Sequence, residues 1–376
     1  MRLYFKRSSS FEETGDTDNE KNTGKGLDSL DEDSQLIKDI INSTIDGDVS
    51  RLLNQLSGEI HQAALGQLLR FDYDYLRRYI YRSGRAASLR SRYMNWPGNY
   101  GHQSYLAPAA GQGPQSQNFW VNIGGRYSRM NSDGNGGWST MYGPEVTAGY
   151  DLSLTEGWLA GLGLRYAHNK LELDSRWSEA DIDTFGLSWY GGKELPYQSG
   201  LFRLMLGGSY MHHRVETDRQ VRIGQSNYKL QDSYGADSIQ LLLEGSYLWA
   251  LNDCILLEPY LNLGWDHLRL GSIDEGSKLP ALTASGNSFS GFSTMIGLRS
   301  AAQIGEITAL NFNLGWRHYL DTVTPDGQMH FKQGGQGFTI KGYTMNRDEA
   351  ALGLGLAVNL TESSNLSINY DGLIGD

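Results

Sequence analysis

Apolar residues alternate with small or polar residues in eleven segments that fill the chain from Phe119 to its end. One segment carries apolar side chains at every second position: Trp158, Ala160, Leu162, Leu164 and Tyr166. Because successive side chains of a β-strand point to opposite faces, each segment predicts a strand with one apolar face. The segments are about nine to twelve residues long, which suits tilted strands that cross a bilayer.

The composition of the polar faces separates a membrane barrel from a soluble β-sandwich. A sandwich would cover its outer faces with lysine and glutamate, whereas these faces carry mainly glycine, serine, asparagine and arginine. Aromatic residues cluster near the segment ends, as in the girdles of membrane barrels: Tyr150, Trp158, Trp189, Tyr210, Trp249, Trp316 and Tyr319. We therefore predict an all-β fold, a transmembrane antiparallel β-barrel with one face toward lipid and the other toward a wet interior.

The spacing of the segments predicts how the strands are connected. The segments lie at roughly 119–130, 144–154, 157–173, 180–193, 200–216, 234–251, 254–271, 288–303, 306–321, 347–360 and 364–372. Short connections alternate with long polar ones, at 217–233, 272–287 and 322–346, as periplasmic turns alternate with extracellular loops. Bacterial single-chain barrels have even numbers of strands, so we expect twelve strands, about eleven of them present and the last beyond Asp376.

The chain before the barrel divides into three stretches. Residues 1–48 hold twelve acidic side chains against three lysines from residue 11 onward, in a protein of net charge −11, and we interpret them as a solvated junction. Residues 49–94 predict a helix with a basic extension, because apolar residues recur there at helical spacing. Residues 95–117 are rich in glycine, proline, glutamine and asparagine and predict a linker to a barrel at 118–376.

The predicted helix carries a row of arginines near one face. The arginines are Arg70, Arg77, Arg78, Arg82 and Arg85. The inward face of the predicted barrel carries six acids: Glu145, Asp151, Glu244, Glu258, Asp266 and Asp371. A basic helix threaded through an acidic lumen would pair these charges without contacting lipid, so we expect an N-terminal α-helix in the lumen. The alternative is a helix whose charged face is solvated.

Candidate chemistry along the chain is sparse. His212 and His213 are adjacent in a predicted strand and point to opposite faces, so they cannot chelate one metal, and we interpret them as an interfacial or loop pair. No set of nucleophile, base and orienting group is readable, so we expect no catalysis, no metal and no cofactor. No basic domain suggests a nucleic-acid partner. No secretory signal follows Met1, so we expect this chain to be part of a longer precursor.

A distinctive signature lies in the predicted helix. Its residues are Leu53, Asn54, Gln55, Leu56, Ser57, Gly58 and Glu59. A Leu-Asp-Ser-Leu stretch at 27–30 lies in the junction, and an Asn-Tyr-Asp-Gly stretch at 369–372 lies in the last segment. With these motifs and the barrel pattern, the chain resembles the translocator unit of autotransporters, the type V secretion family, over nearly its whole length.

The resemblance implies a twelve-stranded barrel with a pore helix. Such a barrel lies in the lipid of the outer membrane of a Gram-negative bacterium, exports an N-terminal passenger to the cell surface and then anchors it. The resemblance also implies assembly, as a monomer, by the β-barrel assembly machinery. We expect the passenger and an aromatic-ended final strand beyond the two ends of this sequence. Two alternatives stay open: a plain pore or porin without a dedicated helix, and an outer-membrane surface enzyme with activity in its long loops.

Overall fold

A computed structural model of the chain describes residues 9–43, 49–89, 117–154, 157–198, 200–252, 254–305, 307–320, 324–360 and 365–375. At residues 73–74, 78–89, 117–118, 153, 359 and 365 it describes the backbone alone. The described residues form one large sheet, a small second sheet and four helices.

The strands of the large sheet follow one another in chain order, and all neighbours are antiparallel. They are β1 (Gln117–Met130), β2 (Ser139–Ser153), β3 (Trp158–Leu173), β4 (Ser178–Tyr197), β5 (Gly200–Ile223), β6 (Ser226–Asn252), β7 (Ile255–Leu270), β10 (Asn287–Gln303), β11 (Thr308–Tyr319), β14 (Asp348–Asn359) and β15 (Asn365–Ile374). Hairpins in two long connections supply the second sheet: β8 (Ile273–Asp274), β9 (Leu282–Ala284), β12 (Asp326–Phe331) and β13 (Gly334–Lys341). This up-and-down order of eleven strands is that of membrane barrels.

Burial along each strand alternates as predicted, and the exposed outer face is the apolar one, unlike that of a soluble β-protein. On β3 Leu164 is 63% exposed, whereas Arg165 next to it is buried. On β1 Ile123 is 77% exposed, and large apolar side chains stay exposed across the same band of the other strands. An apolar surface of this extent is stable in lipid and not in water. The predicted all-β membrane barrel is therefore confirmed.

The hairpin of β5 and β6 extends far beyond this apolar band. Sequence analysis predicted a polar loop at 217–233, and that prediction is wrong, because β5 continues to Ile223 and pairs with β6 from Ser226. Val221, Ile223 and Leu230 inside this stretch are buried, while Arg222, residues 224–227 and Lys229 are exposed. Outside a membrane a strand needs only one apolar face, so polar composition concealed the strand.

Four helices precede the large sheet. They are α1 (Asp18–Asp28), α2 (Gln35–Ser43), α3 (Val49–Leu56) and α4 (Glu59–Leu89). We predicted one helix from residue 49, but the chain turns at Gly58, whose φ is +70° and which packs against Leu282. Glycine adopts this left-handed conformation without steric cost. Among the described residues, no helix is both long enough and apolar enough to span a membrane.

Helices α1–α3 and the second sheet form what we call the cap, at the end of the barrel that carries the long connections. Its core joins apolar residues of the N-terminal segment to those of the hairpins: Phe11, Leu27, Leu36, Ile40, Leu53, Leu282, Phe331 and Phe338. Asn19 of α1 also exchanges two hydrogen bonds of 2.9 Å with the backbone of Lys341 on β13. The interpretation of residues 1–48 as a solvated junction is thus wrong for residues 9–43. Most of their acids are exposed in the turns before and between α1 and α2, while apolar residues at helical spacing are buried.

Candidate pore and the helix inside it

Helix α4 occupies the interior of the curled sheet. It contacts β4, β5, β6, β7 and β10, and it also reaches the two outermost strands. Arg126 of β1 donates a hydrogen bond to the carbonyl of Phe71, and Arg70 donates one of 2.9 Å to the carbonyl of Leu373 on β15. Strands from both edges of the sheet therefore surround one helix, and the predicted lumenal helix is observed.

The side chains described between Glu59 and Arg77 are buried on all faces of the helix except at Arg70, which is half-buried, although many of them are polar. Its apolar buried residues include Ile60, Ala64, Leu65 and Leu68, and its polar buried residues include His61, Gln62, Gln67, Asp72 and Arg77. A helix buried all round normally lies in a protein core. Here the polar residues face the polar inner wall of the barrel. From Glu59 to Arg77 the helix rises about 27 Å, close to the thickness of a bilayer core.

At the cap end, α4 begins in a network that joins it to the loops. Glu59 accepts a hydrogen bond of 2.8 Å from Arg176 Nε and one of 2.5 Å from the backbone of Gly137. Its carboxylate also lies near the positive end of the helix dipole. The start of the helix is therefore fixed to the loops between β1 and β2 and between β3 and β4.

Two residues further along, His61 is fully buried between Tyr234 of β6 and Glu275, which follows β8. Its Nδ1 lies 3.1 Å from Tyr234 Oη, and its Nε2 lies 3.3 Å from Glu275 Oε1. Arg219 Nε donates to the same carboxylate at 2.8 Å. Burial alone would raise the pKa of Glu275, but Arg219 and His61 outweigh it and lower that pKa to about 2.

In the middle of the lumen, Asp72 of α4 meets three wall residues. Arg165 Nη1 lies 3.2 Å and His213 Nε2 3.1 Å from its carboxylate, and Ser238 Oγ donates a hydrogen bond of 2.8 Å. We interpreted His213 as an interfacial or loop residue, and that is wrong: it faces the lumen and is fully buried. Its neighbour His212 does point to the opposite face, as strand geometry requires.

The wall of the lumen also carries ion pairs of its own. Arg299 makes two contacts of 2.6 Å with Glu244. Arg203 lies 2.8 Å from Glu258, which also accepts a hydrogen bond of 2.8 Å from the hydroxyl of Ser246 and lies 3.7 Å from Arg299. In the Arg299–Glu244 and Arg203–Glu258 pairs the arginine and the carboxylate both face the lumen, from strands that are separated by one strand. These pairs therefore connect strands that share no backbone hydrogen bonds.

The six predicted acids all lie on the inward side of their strands. Glu145, Asp151, Glu244, Glu258 and Asp266 are buried, and Asp371 is half-buried. Asp151 accepts hydrogen bonds from Trp120 Nε1, at 3.2 Å, and from the hydroxyl of Tyr190, while Asp266 accepts one of 2.7 Å from Gln240. Glu145 lies 3.2 Å from Arg165.

The predicted arginine row on α4 is described only in its first part. Arg70 lies 3.5 Å from Glu349, an acid that sequence analysis did not single out, and Arg77 is 2% exposed. Arg78, Arg82 and Arg85 belong to α4, but their side chains lie outside the described residues. Sequence analysis missed the wall arginines as partners of the acids, although their inward strand positions were readable: Arg165, Arg203, Arg299 and Arg317.

The signature residues lie where the cap meets the pore. Leu53 and Leu56 are buried in the cap core, and Asn54 donates a hydrogen bond of 2.5 Å to Glu20 of α1. The backbone carbonyl of Gln55 accepts a hydrogen bond of 2.6 Å from Arg219. Ser57 donates one of 2.8 Å to the carbonyl of Asn54 and so closes the end of α3. The signature thus forms the joint between α3 and α4.

Comparisons with known proteins agree with this architecture. Residues 119–371 match the family described as the autotransporter beta-domain. Two proteins named extracellular serine protease, both from Serratia marcescens, are 30% identical over 264 and 258 residues, which cover 65% and 67% of this chain. The chain spans only about a quarter of their length, 25% and 24%.

Among solved structures, the chain is similar to the translocator domain of the autotransporter NalP from Neisseria meningitidis. The TM-score is 0.51 at 16% identity, over 70% of this chain and 83% of that one. This likeness supports the fold. The matched domain, the apolar outer band and the buried lumenal helix lead to one conclusion: the chain belongs to the autotransporter β-domain family, the outer-membrane translocators of type V secretion.

Proposed function

We propose that this chain carries an N-terminal passenger across the outer membrane and then anchors it, with α4 filling the pore. The observation that carries the proposal is the path of the chain. Residues 9–43 and α3 lie in the cap, at the end with the long loops, whereas β1 begins at the opposite end of the barrel. Of the residues described between them, α4 crosses the interior. Sequence upstream of the cap would therefore lie at the cell surface.

Polar contacts along α4 support its role as the final plug. Glu59, His61, Arg70 and Asp72 each pair with wall or loop residues at a different depth. A passenger in transit could not reproduce this whole series, because the contacts need these residues in this register. The helix therefore binds its site once the passenger has passed.

The porin alternative is less consistent with this interior. A porin keeps a water-filled lumen with a polar lining, whereas here a buried helix fills the described part of the lumen. For the enzyme alternative, the protease name of the Serratia relatives applies to proteins about four times as long as the matched part. We propose that this part carries no catalysis and that any enzymatic activity belongs to the passenger.

The experiment fuses a signal peptide and an epitope-tagged reporter upstream of Met1, keeps the final strand expected after Asp376, and expresses the fusion in a Gram-negative host. We expect protease added to intact cells to degrade the reporter, while the barrel keeps its heat-modifiable migration on gels. The control carries the same signal peptide and reporter without the barrel, and its reporter should stay protected. A folded barrel in the outer membrane with a reporter trapped in the periplasm would contradict the proposal.

We further propose that the chain inserts as a monomer with the help of the β-barrel assembly machinery. Unpaired strand edges are costly in lipid, so the sheet must curl while it enters the membrane. Depletion of the assembly machinery should abolish the heat-modifiable form and leave reporter export at background. Unchanged insertion after depletion would refute this partner.

A further inference from the structure

On the strands that run toward the cap, the outward-facing residues change from apolar to aromatic and then to basic. An aromatic residue is followed two positions later by a histidine on four strands: Tyr166 and His168 on β3, Tyr210 and His212 on β5, Trp265 and His267 on β7, and Trp316 and His318 on β11. On β1 the same step joins Tyr127 to Arg129. Below each aromatic lies the apolar band. We call Arg129 and the four histidines the basic belt.

Strand register indicates that the basic belt runs around the barrel as a ring. His168 on β3 and Arg214 on β5 both lie opposite Asp183 on β4. His212 therefore lies two residues before the position on β5 that is level with His168 along the hydrogen-bond ladder. Following the ladder onward, His267 is displaced by two residues in the same direction, and His318 by four. From Arg129 to His168 the displacement is also four residues in this direction. Strands of a barrel are tilted, and a ring at constant height needs a displacement in one direction from strand to strand. The belt therefore marks one level of the membrane.

Each histidine of the belt is held by a residue on the next strand. The contacts are His168 Nδ1 to Asp183 Oδ1 (3.0 Å), His212 Nδ1 to Asp237 Oδ1 (2.8 Å), His267 Nδ1 to Ser290 Oγ (2.7 Å) and His318 Nδ1 to Asp348 Oδ1 (2.8 Å). The hydroxyls of Tyr166 and Tyr210 donate to the same carboxylates as their histidines. The rings stay accessible; the His212 side chain, for example, is 52% exposed.

We propose that the basic belt binds the phosphate groups of lipid headgroups in the outer leaflet. At His168, His212 and His318 a carboxylate on Nδ1 fixes that nitrogen as a donor, and an imidazolium then directs a second N–H, on Nε2, away from the partner strand. A phosphate accepts that hydrogen bond and completes the charge balance, carboxylate to imidazolium to phosphate. The belt lies one step above the aromatic girdle on the long-loop side, which is where outer-leaflet headgroups meet a barrel.

Charge complementarity selects phosphate over a neutral headgroup. The neutral imidazole, with its proton on Nδ1, presents a lone pair at Nε2 and cannot donate to phosphate. Donation from Nε2 to a phosphate therefore needs a proton on that nitrogen as well as on Nδ1. The groups that face the four rings are the carboxylates of Asp183, Asp237 and Asp348, the hydroxyls of Ser290, Tyr166 and Tyr210, and the guanidinium of Arg214 beside Asp183.

The test measures binding of bis-phosphorylated lipid A to the full chain, folded in neutral detergent micelles. Dephosphorylated lipid A, with the same acyl chains, is the matched ligand, and inorganic phosphate tests the free ion. In one variant all four histidines become glutamine (H168Q, H212Q, H267Q, H318Q), and in a second all four become arginine. A control variant, R222Q/K229Q, removes two positive charges from the β5–β6 hairpin beyond the belt. Heat-modifiable migration verifies that every variant is folded.

We expect the glutamine variant to bind phosphorylated lipid A about 15-fold more weakly than the wild type, because four exposed charge-assisted contacts are each worth roughly a factor of two. The arginine variant keeps a positive charge and N–H donors at all four positions, so it should bind at least as tightly as the wild type. Three results would each overturn the proposal: unchanged binding by the glutamine variant, equal binding of dephosphorylated lipid A, or equal competition by inorganic phosphate. A loss of binding as large in the control variant would also overturn it, because the belt would then have no special role.

Discussion

Replacement of Asp72 by asparagine should loosen the pore helix without unfolding the barrel. Asp72 is 2% exposed, and its carboxylate contacts Arg165, His213 and Ser238 at 3.2, 3.1 and 2.8 Å. Asparagine has the same size but no charge, so Asp72→Asn leaves two cationic or proton-binding partners facing a neutral amide. The wall keeps part of its balance, because Arg165 also lies 3.2 Å from Glu145.

The size of the effect follows from this partial compensation. Removal of one partner of a buried ion pair usually costs about 3–5 kcal/mol, because the other charge stays buried. Since Arg165 retains Glu145, we expect about 2–3 kcal/mol for Asp72→Asn. A change of 1.36 kcal/mol is a factor of ten, so the population with a displaced helix should rise roughly 30- to 150-fold.

Single-channel recording in planar bilayers measures this population as the fraction of time spent open. Glu258→Gln is the matched control, because the ion-pair partners of Glu258 among the described side chains, Arg203 and Arg299, both belong to the wall. The control should lower the temperature at which heat-modifiable migration is lost, with few additional openings. Asp72→Asn should produce openings at a nearly unchanged melting temperature. If Asp72→Asn stays closed for the same fraction of time as the wild type, then Asp72 does not hold the helix.

Three further predictions follow from the same structure. Deletion of residues 49–94 should raise the conductance of the barrel, whereas an unchanged conductance would favour a porin; planar-bilayer recording decides between them. A carboxyl whose pKa is lowered in the folded state stabilises that state fully at pH values above its ordinary pKa. The cap should therefore lose roughly 3 kcal/mol of stability as the pH falls from about 4.5 to about 2, where Glu275 takes up a proton beside Arg219. Limited proteolysis at a series of pH values measures this loss, and a cap equally resistant throughout would refute it. Gly58→Ala should destabilise the joint between α3 and α4 by about 1–2 kcal/mol, because its φ is +70° and Leu282 occupies the space of a Cβ; faster proteolysis of the cap, with unchanged barrel migration, is the expected result.

The barrel was predictable from sequence because lipid imposes a strict rule on every strand. Each residue that faces lipid must be apolar, so positions such as Leu162 and Leu164 reveal the strands directly. The rule ends where the membrane ends. For that reason the outer half of the β5–β6 hairpin looked like a loop, and the apolar residues that bury one face of it were too sparse to reveal a strand.

The partners inside the lumen were not predictable from sequence. Alternation identifies which residues point inward, and it placed Glu244 and Glu258 correctly. It does not identify which inward residues meet, because that depends on strand register and on the rotation of α4. Asp72 illustrates the limit. We predicted contacts only for the arginines of this helix, and the partners of Asp72 come from three strands, β3, β5 and β6.

The cap was concealed by composition for a similar reason. Twelve acids dominate the first 48 residues and suggest solvation. Only a few apolar side chains, among them Leu27, Leu36 and Ile40, are needed to attach two short helices to a larger core. A core assembled from distant segments leaves only a weak signal in any one of them.

The shared core of the cap also determines how the anchored protein responds to force. Buried residues of α1 and α2 pack against the hairpins in the same core as the first turns of α4. Tension on the chain outside the cell is therefore transmitted first to the loop hairpins and the wall, and the pore helix is shielded from it. In the opposite direction the cap is a stopper, because α1 and α2 would have to unfold before the chain could slip back into a lumen that α4 already fills. Each large apolar side chain pulled from the core would cost about 2 kcal/mol, so retraction is opposed by the folding of the exported segment itself.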